Sequence, residues 1–289
     1  MRIPWGYLAD LFELTKPRIC LLALMTATLG YYLGSETYVS IGGLAGTLIG
    51  LGLIGAACGI LNQYLESDID GRMWRTMERP LPSGRVSPRV AVLLAIVSGV
   101  VGELVLEFAA NSLTAVLAAT TLLAYVGIYT PSKRITSMST LIGAVPGAMP
   151  PLMGYTAARG SLGPEGYLLF AILFLWQIPH FLAIAWIYRE DYARAGLPIL
   201  SVVDEEGIVM AKQIVLYSIV LLPLTLVPSV WGITGQSYFV GAMLLGIFFL
   251  ACAFYLAIQR TKRYAKHLFL ASILYLPILG LLMVWDRIY

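Results

Sequence analysis

Charge is scarce in this 289-residue sequence: 12% of residues are Asp, Glu, Lys or Arg, against 59% hydrophobic. That balance excludes an ordinary soluble domain. Cysteine is scarce too. Cys20, Cys58 and Cys252 stand singly in apolar stretches with no CxxC pair, so neither a structural zinc site nor a disulfide framework is expected. Histidine occurs twice, and no linker, low-complexity tract or charged tail interrupts the chain. Neither a cleavable leader nor an Arg- and Ser-rich transit peptide is expected ahead of the first apolar run. Residues 1–289 therefore read as a single membrane domain.

What is abundant is long apolar runs. A bilayer crossing takes about 20 apolar residues, and nine stretches qualify: roughly 17–35, 40–65, 89–107, 112–130, 139–158, 164–188, 210–231, 237–258 and 267–286. Residues 4–15 suit a short helix lying at the interface. Lysine and arginine placement sets direction, because basic loops stay inside. With an inner N-terminus and nine spans, the inner segments hold Arg2, Lys16, Arg18, Arg72, Arg75, Arg79, Arg85, Arg89, Lys133, Arg134, Arg189, Arg194, Lys212, Arg260, Lys262, Arg263 and Lys266. Of the 19 basic residues only Arg159 and Arg287 fall outside. The expectation is an all-α, multi-pass protein of a bacterial or archaeal cell membrane, N-terminus cytoplasmic. Its formal charge of +3 then reflects membrane anchoring or anion binding, and no nucleic-acid partner is expected.

The remaining polarity is concentrated at the inner face. The second span ends in Asn62-Gln63-Tyr64-Leu65-Glu66-Ser67-Asp68-Ile69-Asp70. Asn62, Glu66 and Asp70 are spaced by four, so on a regular helix they drift by about 40° per step and share a face. Asp68 points elsewhere unless the helix unwinds near Gly71. Magnesium favours octahedral oxygen coordination from a few carboxylates, water and phosphate. Arginines follow at once, and guanidinium clamps phosphate oxygens. Arg75 and Arg79 lie in a stretch stiffened by Pro80 and Pro82, and Lys133-Arg134 follow Tyr125 and Tyr129 at the end of the fourth span. Together these point to a magnesium-bound diphosphate. Charge balancing and positive-inside anchoring are the plainer readings, and for Lys133 and Arg134 anchoring stays open. The sixth span delivers His180, Glu190 and Asp191 to the same face, four helices later, which suggests two four-helix halves plus one helix. Pro179 interrupts that span beside Gln177 and His180. In lipid such a kink faces protein or a cavity. Glu103 stays unassigned, and His267 reads as interfacial.

Several runs resemble one family. Asn62 to Arg85 is similar to the first aspartate-rich motif of the UbiA-type intramembrane prenyltransferases. Tyr129-Thr130-Pro131-Ser132-Lys133-Arg134, the proline- and glycine-rich run from Pro146 to Gly154, Trp176-Gln177-Ile178-Pro179-His180-Phe181 and Tyr188-Arg189-Glu190-Asp191-Tyr192-Ala193-Arg194-Ala195-Gly196-Leu197-Pro198 resemble its branch that farnesylates protohaem. The resemblance covers about residues 10–285. It implies nine transmembrane helices around a central cavity, with farnesyl diphosphate and protohaem IX as substrates, Mg2+ as cofactor, and a downstream haem-modifying enzyme as a candidate partner. The implied reaction joins farnesyl to a haem vinyl group and adds a hydroxyl.

By the same resemblance Asn62, Glu66, Asp68, Asp70 and Asp191 carry catalysis. Asn62, Glu66, Asp70, Glu190 and Asp191 hold metal, and Arg75, Arg79, Lys133 and Arg134 bind the diphosphate. Glu66 stands where many relatives have aspartate. His180 stands where quinone-type members carry the leading aspartate of the second motif, which argues against a second fully carboxylate-bound magnesium. His180 is open to three readings: haem-iron ligand, hydrogen-bonding group for a propionate or the diphosphate, or a helix-packing residue. The competing functions are prenylation of a quinone-precursor ring and non-enzymatic transport or haem handling. Transporter sites tend to lie at the bilayer midplane, whereas these acids and bases gather at one face.

Overall fold

The computed structural model describes residues 5–36 and 38–288. Arg2, and residue 4 of the expected interfacial helix, lie outside the described residues. The elements run α1 (Trp5–Leu14), α2 (Pro17–Gly34), α3 (Ile41–Leu65), α4 (Ser67–Asp70), α5 (Pro88–Ala109), α6 (Ser112–Ala124), a π-helical turn (Tyr125–Tyr129), α7 (Thr130–Ser132), α8 (Ser139–Arg159), α9 (Pro164–Ile187), α10 (Arg189–Arg194), α11 (Leu200–Val203), α12 (Ile208–Val230), α13 (Gln236–Gln259) and α14 (Lys262–Trp285). Local chemistry sets the starts. Proline opens α2, α5 and α9, where its missing N–H costs no hydrogen bond. Side-chain oxygens of Ser40, Ser87, Asn111 and Thr261 accept from the first free backbone N–H groups of α3, α5, α6 and α14.

Among the described residues seven helices are long and apolar enough to cross a membrane: 41–65, 88–109, 112–132, 164–187, 208–230, 236–259 and 262–285. α2 and α8 are also long. Arg18 and two tyrosines make α2 less apolar, and three internal prolines do the same for α8. The last span begins five residues before its expected start, because Thr261 caps a helix whose first turns carry Lys262, Arg263 and Lys266. Their aliphatic stems extend a helix whose charged heads stay at the interface. The fourth span departs more: it is not a regular helix to residue 130 but widens into the π-turn at Tyr125–Tyr129.

Two apolar cores hold the bundle. One unites α8, α9, α12, α13 and α14 around Trp176, Ile178, Leu182, Tyr238, Phe249 and Tyr275. The other joins α2, α3, α5, α6 and α8 around Ala27, Ile54, Leu106 and Met153. α8 belongs to both. Its contact with α2 is backbone against backbone. A Cβ on Gly154 would lie 1.9 Å from the Ala27 carbonyl oxygen, and one on Gly30 would lie 1.9 Å from that of Pro151. A third cluster lies at the ends of the long helices: Ile69 and Met73, after α3, pack with Ala185 in the last turn of α9 and with Ala195, Leu197 and Ile199 beyond it. This patch ties the two polar loops together and so positions the polar groups they carry.

The α2–α8 approach yields a contrast. Gly154→Ala forces two backbones apart and is expected to cost about 1–3 kcal/mol or more. Gly42→Ala, with nothing within 4 Å of the added methyl, should leave stability unchanged. Thermal unfolding of both variants in detergent reads the difference.

Candidate functional site

α3 stops at Leu65, and Glu66 (φ −101°, ψ 6°) forms the hinge to the single turn α4. The backbone stays connected across the hinge, the Asp70 N–H donating to the Glu66 carbonyl at 2.7 Å. The break leaves Asn62, Glu66 and Asp70 buried and turns Asp68 outward. Each polar group then meets a base. Arg79 Nη1 lies 2.7 Å from Asp70 Oδ2. Lys133 Nζ lies 2.7 Å from Glu66 Oε1. Lys16 Nζ donates to Asn62 Oδ1 at 2.5 Å, and the Asn62 amide donates to Thr130 Oγ1 at 3.1 Å. Arg79, Lys133 and Lys16 thus surround two carboxylates, a basic setting suited to an anion.

Lys16 was not among the residues singled out from sequence for this site. It occupies the left-handed region (φ 53°) just before Pro17, a conformation that is strained for a lysine. Burial, then the like charges of Lys133 and Arg79, depress its ammonium to about 7. Burial also works against the Lys133 ammonium, but Tyr129 and Glu66 outweigh it and hold that group above its ordinary value. The π-turn gives Lys133 its seat: the Tyr129 ring lies 4.6 Å beneath the ammonium, and Tyr125 packs on Tyr129 at 5.1 Å. Thr130 was missed as well; its hydroxyl bonds the Tyr125 carbonyl inside that turn, and only its place beside the expected basic pair hinted at a role.

The second polar loop joins the first through Asp191. This buried carboxylate accepts from the Trp74 backbone N–H at 3.3 Å and from Arg194 at 3.0 Å. Arg75 extends the junction, donating to the Tyr192 hydroxyl at 3.1 Å with its guanidinium over the rings of Tyr188 and Tyr192. Arg85 reaches back to Asp10 at 2.9 Å and fastens α1 to the same loop. Asn62, Glu66, Asp70, Arg79, Lys133 and Asp191 are therefore drawn into one region at one end of the bundle. Three expected members, Glu190, Asp68 and Arg134, are not. Glu190 is exposed, pairs with Lys262 at 2.8 Å, and has its carboxyl lowered by that partner. Asp68 lies exposed against Arg134 at 2.6 Å, whose hydrogen bonds hold its carboxyl low. Arg134 is thereby turned to Asp68 and the Leu65 carbonyl.

His180 lies on α9 two turns before its end. Its Nδ1 is 2.6 Å from Ser272 Oγ on α14, and the rings of Trp176 and Phe269 stack on it with centroids 4.9 and 5.2 Å away.

The donor set suits a hard cation in chemistry: one amide and three carboxylates, all oxygen donors. Oε1 of Glu66 is buried and makes no aligned hydrogen bond, although the Lys133 ammonium is close. Among the described residues no three carboxylate, imidazole or thiol groups converge as ready metal ligands, since each buried carboxylate is turned to a base.

A model of the UbiA prenyltransferase family matches residues 23–276. The chain is 46% identical over 287 residues to the protoheme IX farnesyltransferase of Solibacter usitatus, covering 96% of this chain and 98% of the relative. It is 42% identical over 290 residues to that of Koribacter versatilis, covering 97% and 94%. Solved structures with this fold include that of a digeranylgeranylglyceryl phosphate synthase (TM-score 0.82, 17% identity, 97% of this chain and 98% of that one). Another is a UbiA homolog from Archaeoglobus fulgidus bound to GPP and Mg2+ (TM-score 0.65, 15% identity, 95% and 99%).

The two lysine–glutamate pairs should behave oppositely. Lys133→Met strands the buried Glu66 carboxylate and is expected to destabilise by about 3 kcal/mol, part of it recovered in the Glu66→Leu/Lys133→Met double variant. Lys262→Met, which breaks an exposed pair, should leave the unfolding temperature where it was.

Proposed function

The chain belongs to the UbiA prenyltransferase family, and from that premise we propose that it transfers the farnesyl group of farnesyl diphosphate to a vinyl group of protohaem IX, giving haem O. The observation that carries this reading is the near full-length likeness to relatives named for that reaction. The site chemistry agrees with it: Lys16, Arg79 and Lys133 gathered around Asn62, Glu66 and Asp70 at one end of an apolar bundle.

The proposed setting is a bacterial-type cell membrane crossed nine times around a central cavity, with the N-terminus and the polar loops cytoplasmic and residues 1–289 acting as one domain. Support for the two further crossings is the packing of α2 and α8 inside the same bundle as the seven apolar helices. The cytoplasmic side follows from the basic residues crowding the loops beside Asp70 and Asp191.

In this reading the diphosphate enters between the ion pairs. Arg79, Lys133 and Lys16 turn from their present partners to phosphate oxygens, with Arg75 beside them on the Tyr188–Tyr192 platform. Asn62, Glu66, Asp70 and Asp191 are the groups that would hold Mg2+, which when bound neutralises charge on the leaving diphosphate. Glu190 stays with Lys262 and Arg134 with Asp68. The basic side chains stabilise negative charge as the allylic carbon–oxygen bond breaks. The apolar helices keep water from the allylic cation until the vinyl carbon attacks. A vinyl group has no ionisable proton to lose before attack, so no strong general base is needed there; attack leaves a cation at the other vinyl carbon, which one water then captures, its oxygen becoming the hydroxyl and one proton leaving to solvent. We assign His180 to the protohaem.

Incubating purified protein with protohaem, farnesyl diphosphate and Mg2+ should yield haem whose mass is increased by one farnesyl and one hydroxyl group. Activity with 4-hydroxybenzoate but not protohaem would replace this reading with quinone-precursor prenylation. Asp70→Ala should abolish turnover in a folded, inserted protein. Arg79→Ala and Lys16→Met should raise the KM for farnesyl diphosphate by about tenfold, the scale of one lost charge-assisted contact of 1.5–3 kcal/mol after partial compensation; an unchanged KM removes either residue from the clamp.

A further inference from the structure

The contact between α9 and α14 fixes where one proton resides. Ser272 has a single hydroxyl proton, and its Oγ lies 2.6 Å from two atoms: the backbone carbonyl oxygen of Phe269 and Nδ1 of His180. A carbonyl has no proton to give, so the hydroxyl donates to Phe269. The serine oxygen can then only accept from His180, and Nδ1 must carry a proton. In a neutral imidazole this leaves Nε2 unprotonated, with its lone pair directed away from Ser272. Nε2 makes no hydrogen bond among the described residues.

The rest of the contact holds that arrangement still. The indole N–H of Trp176 donates to the Ser272 backbone carbonyl at 3.0 Å, so α14 cannot shift relative to α9 without losing it. The Trp176 and Phe269 rings stack on the imidazole, inclined to it by 18° and 29°, and Phe181 meets it edge-on. The histidine is half-buried, and Phe181 is 41% exposed. Nε2 is not among the enclosed polar atoms of the described residues, so a ligand can reach it from outside the α9–α14 contact. A metal-ligating histidine almost always passes its other N–H to an acceptor, which fixes tautomer and orientation and raises the basicity of the ligating nitrogen.

We propose that Ser272 is a positioning residue: through its hydroxyl, relayed to the Phe269 carbonyl, it holds His180 as the Nδ1–H tautomer and presents Nε2 to the iron of the substrate haem. This deepens the haem reading given above and rests on it. The recognised chemistry is an iron porphyrin with a free axial position. No bond to iron is made or broken by the transfer itself; ligation anchors the macrocycle while a vinyl group at its edge reacts. The placement suits this, since His180 is seven residues, about 10 Å along the helix, from the end of α9, and that end leads directly into Asp191.

The test is binding of ferrous protohaem to the full-length protein in detergent, read by resonance Raman at the iron–histidine stretch and by titration. Wild type should show the stretch, and His180→Ala should lose it. Ser272→Ala should bind haem about 10–100-fold more weakly. Its residual complex should show a lowered stretching frequency and a raised midpoint potential, because Nδ1–H no longer has its acceptor. Ser272→Thr, which keeps the hydroxyl, should restore all three. A merely structural serine would change stability without moving the frequency. A Ser272→Ala frequency and affinity equal to wild type, or a wild type with no iron–histidine stretch, overturns the inference. Haem farnesylation in the same preparation is scored separately: turnover without the stretch sinks only ligation, whereas the stretch without turnover sinks only the prenyl-transfer reading.

Discussion

A carboxylate cannot remain charged at the edge of a hydrocarbon layer without a partner, and Asp70, 1% exposed, is the point on which this molecule turns. Its partner, Arg79, is nine residues away. To bring the guanidinium back, residues between α4 and α5 must fold over the end of α3 instead of running out into solvent. Pro80 and Pro82 limit the ways in which that segment can return, and the bond from the Thr76 hydroxyl to the Asp70 carbonyl fastens it midway. Once folded, the segment offers the Trp74 N–H to Asp191 and Arg75 to Tyr192. One buried charge thereby recruits the second polar loop.

Apolar packing and charge pairing cooperate in this. Ile69 and Met73 lie on the same short stretch as Asp70 and bury themselves against Ala195, Leu197 and Ile199. The apolar patch sets the distance between loops, and the ion pairs set their orientation. Neither does both. Hydrophobic contact is non-directional, whereas a guanidinium–carboxylate pair fixes geometry more than it adds stability.

The sequence made the broad plan readable because bilayer crossing imposes a length and a composition. The expected spans match the helices to within a few residues at most ends, and prolines and capping side chains mark several starts. The clustered acids and bases were readable for the same reason, since charge is conspicuous in so apolar a chain. What escaped was pairing. Spacing by four placed Asn62, Glu66 and Asp70 on a face, but could not reveal that a hinge at Glu66 releases Asp68 to Arg134, or that Glu190 prefers Lys262. Those outcomes depend on long-range approach. Lys16 escaped because it precedes a span and so looked like an anchor; only the folded α2–α3 contact brings it to Asn62. Ser272 carries no sequence signal at all. Its meaning comes from a histidine 92 positions away.

The π-turn at Tyr125–Tyr129 has a consequence for the phase of the fourth span. A wider turn takes up one more residue than an α-turn, and each residue of a helix advances by about 100°. Everything downstream is therefore rotated by about that angle relative to an uninterrupted helix. Lys133, two residues past the span's proline, owes its inward azimuth to this surplus residue. Shortening 125–129 by one position would swing the ammonium away from Glu66 and towards the acyl chains. The inserted residue works as a local angular spacer, letting one helix serve lipid along most of its length and the polar centre at its tip.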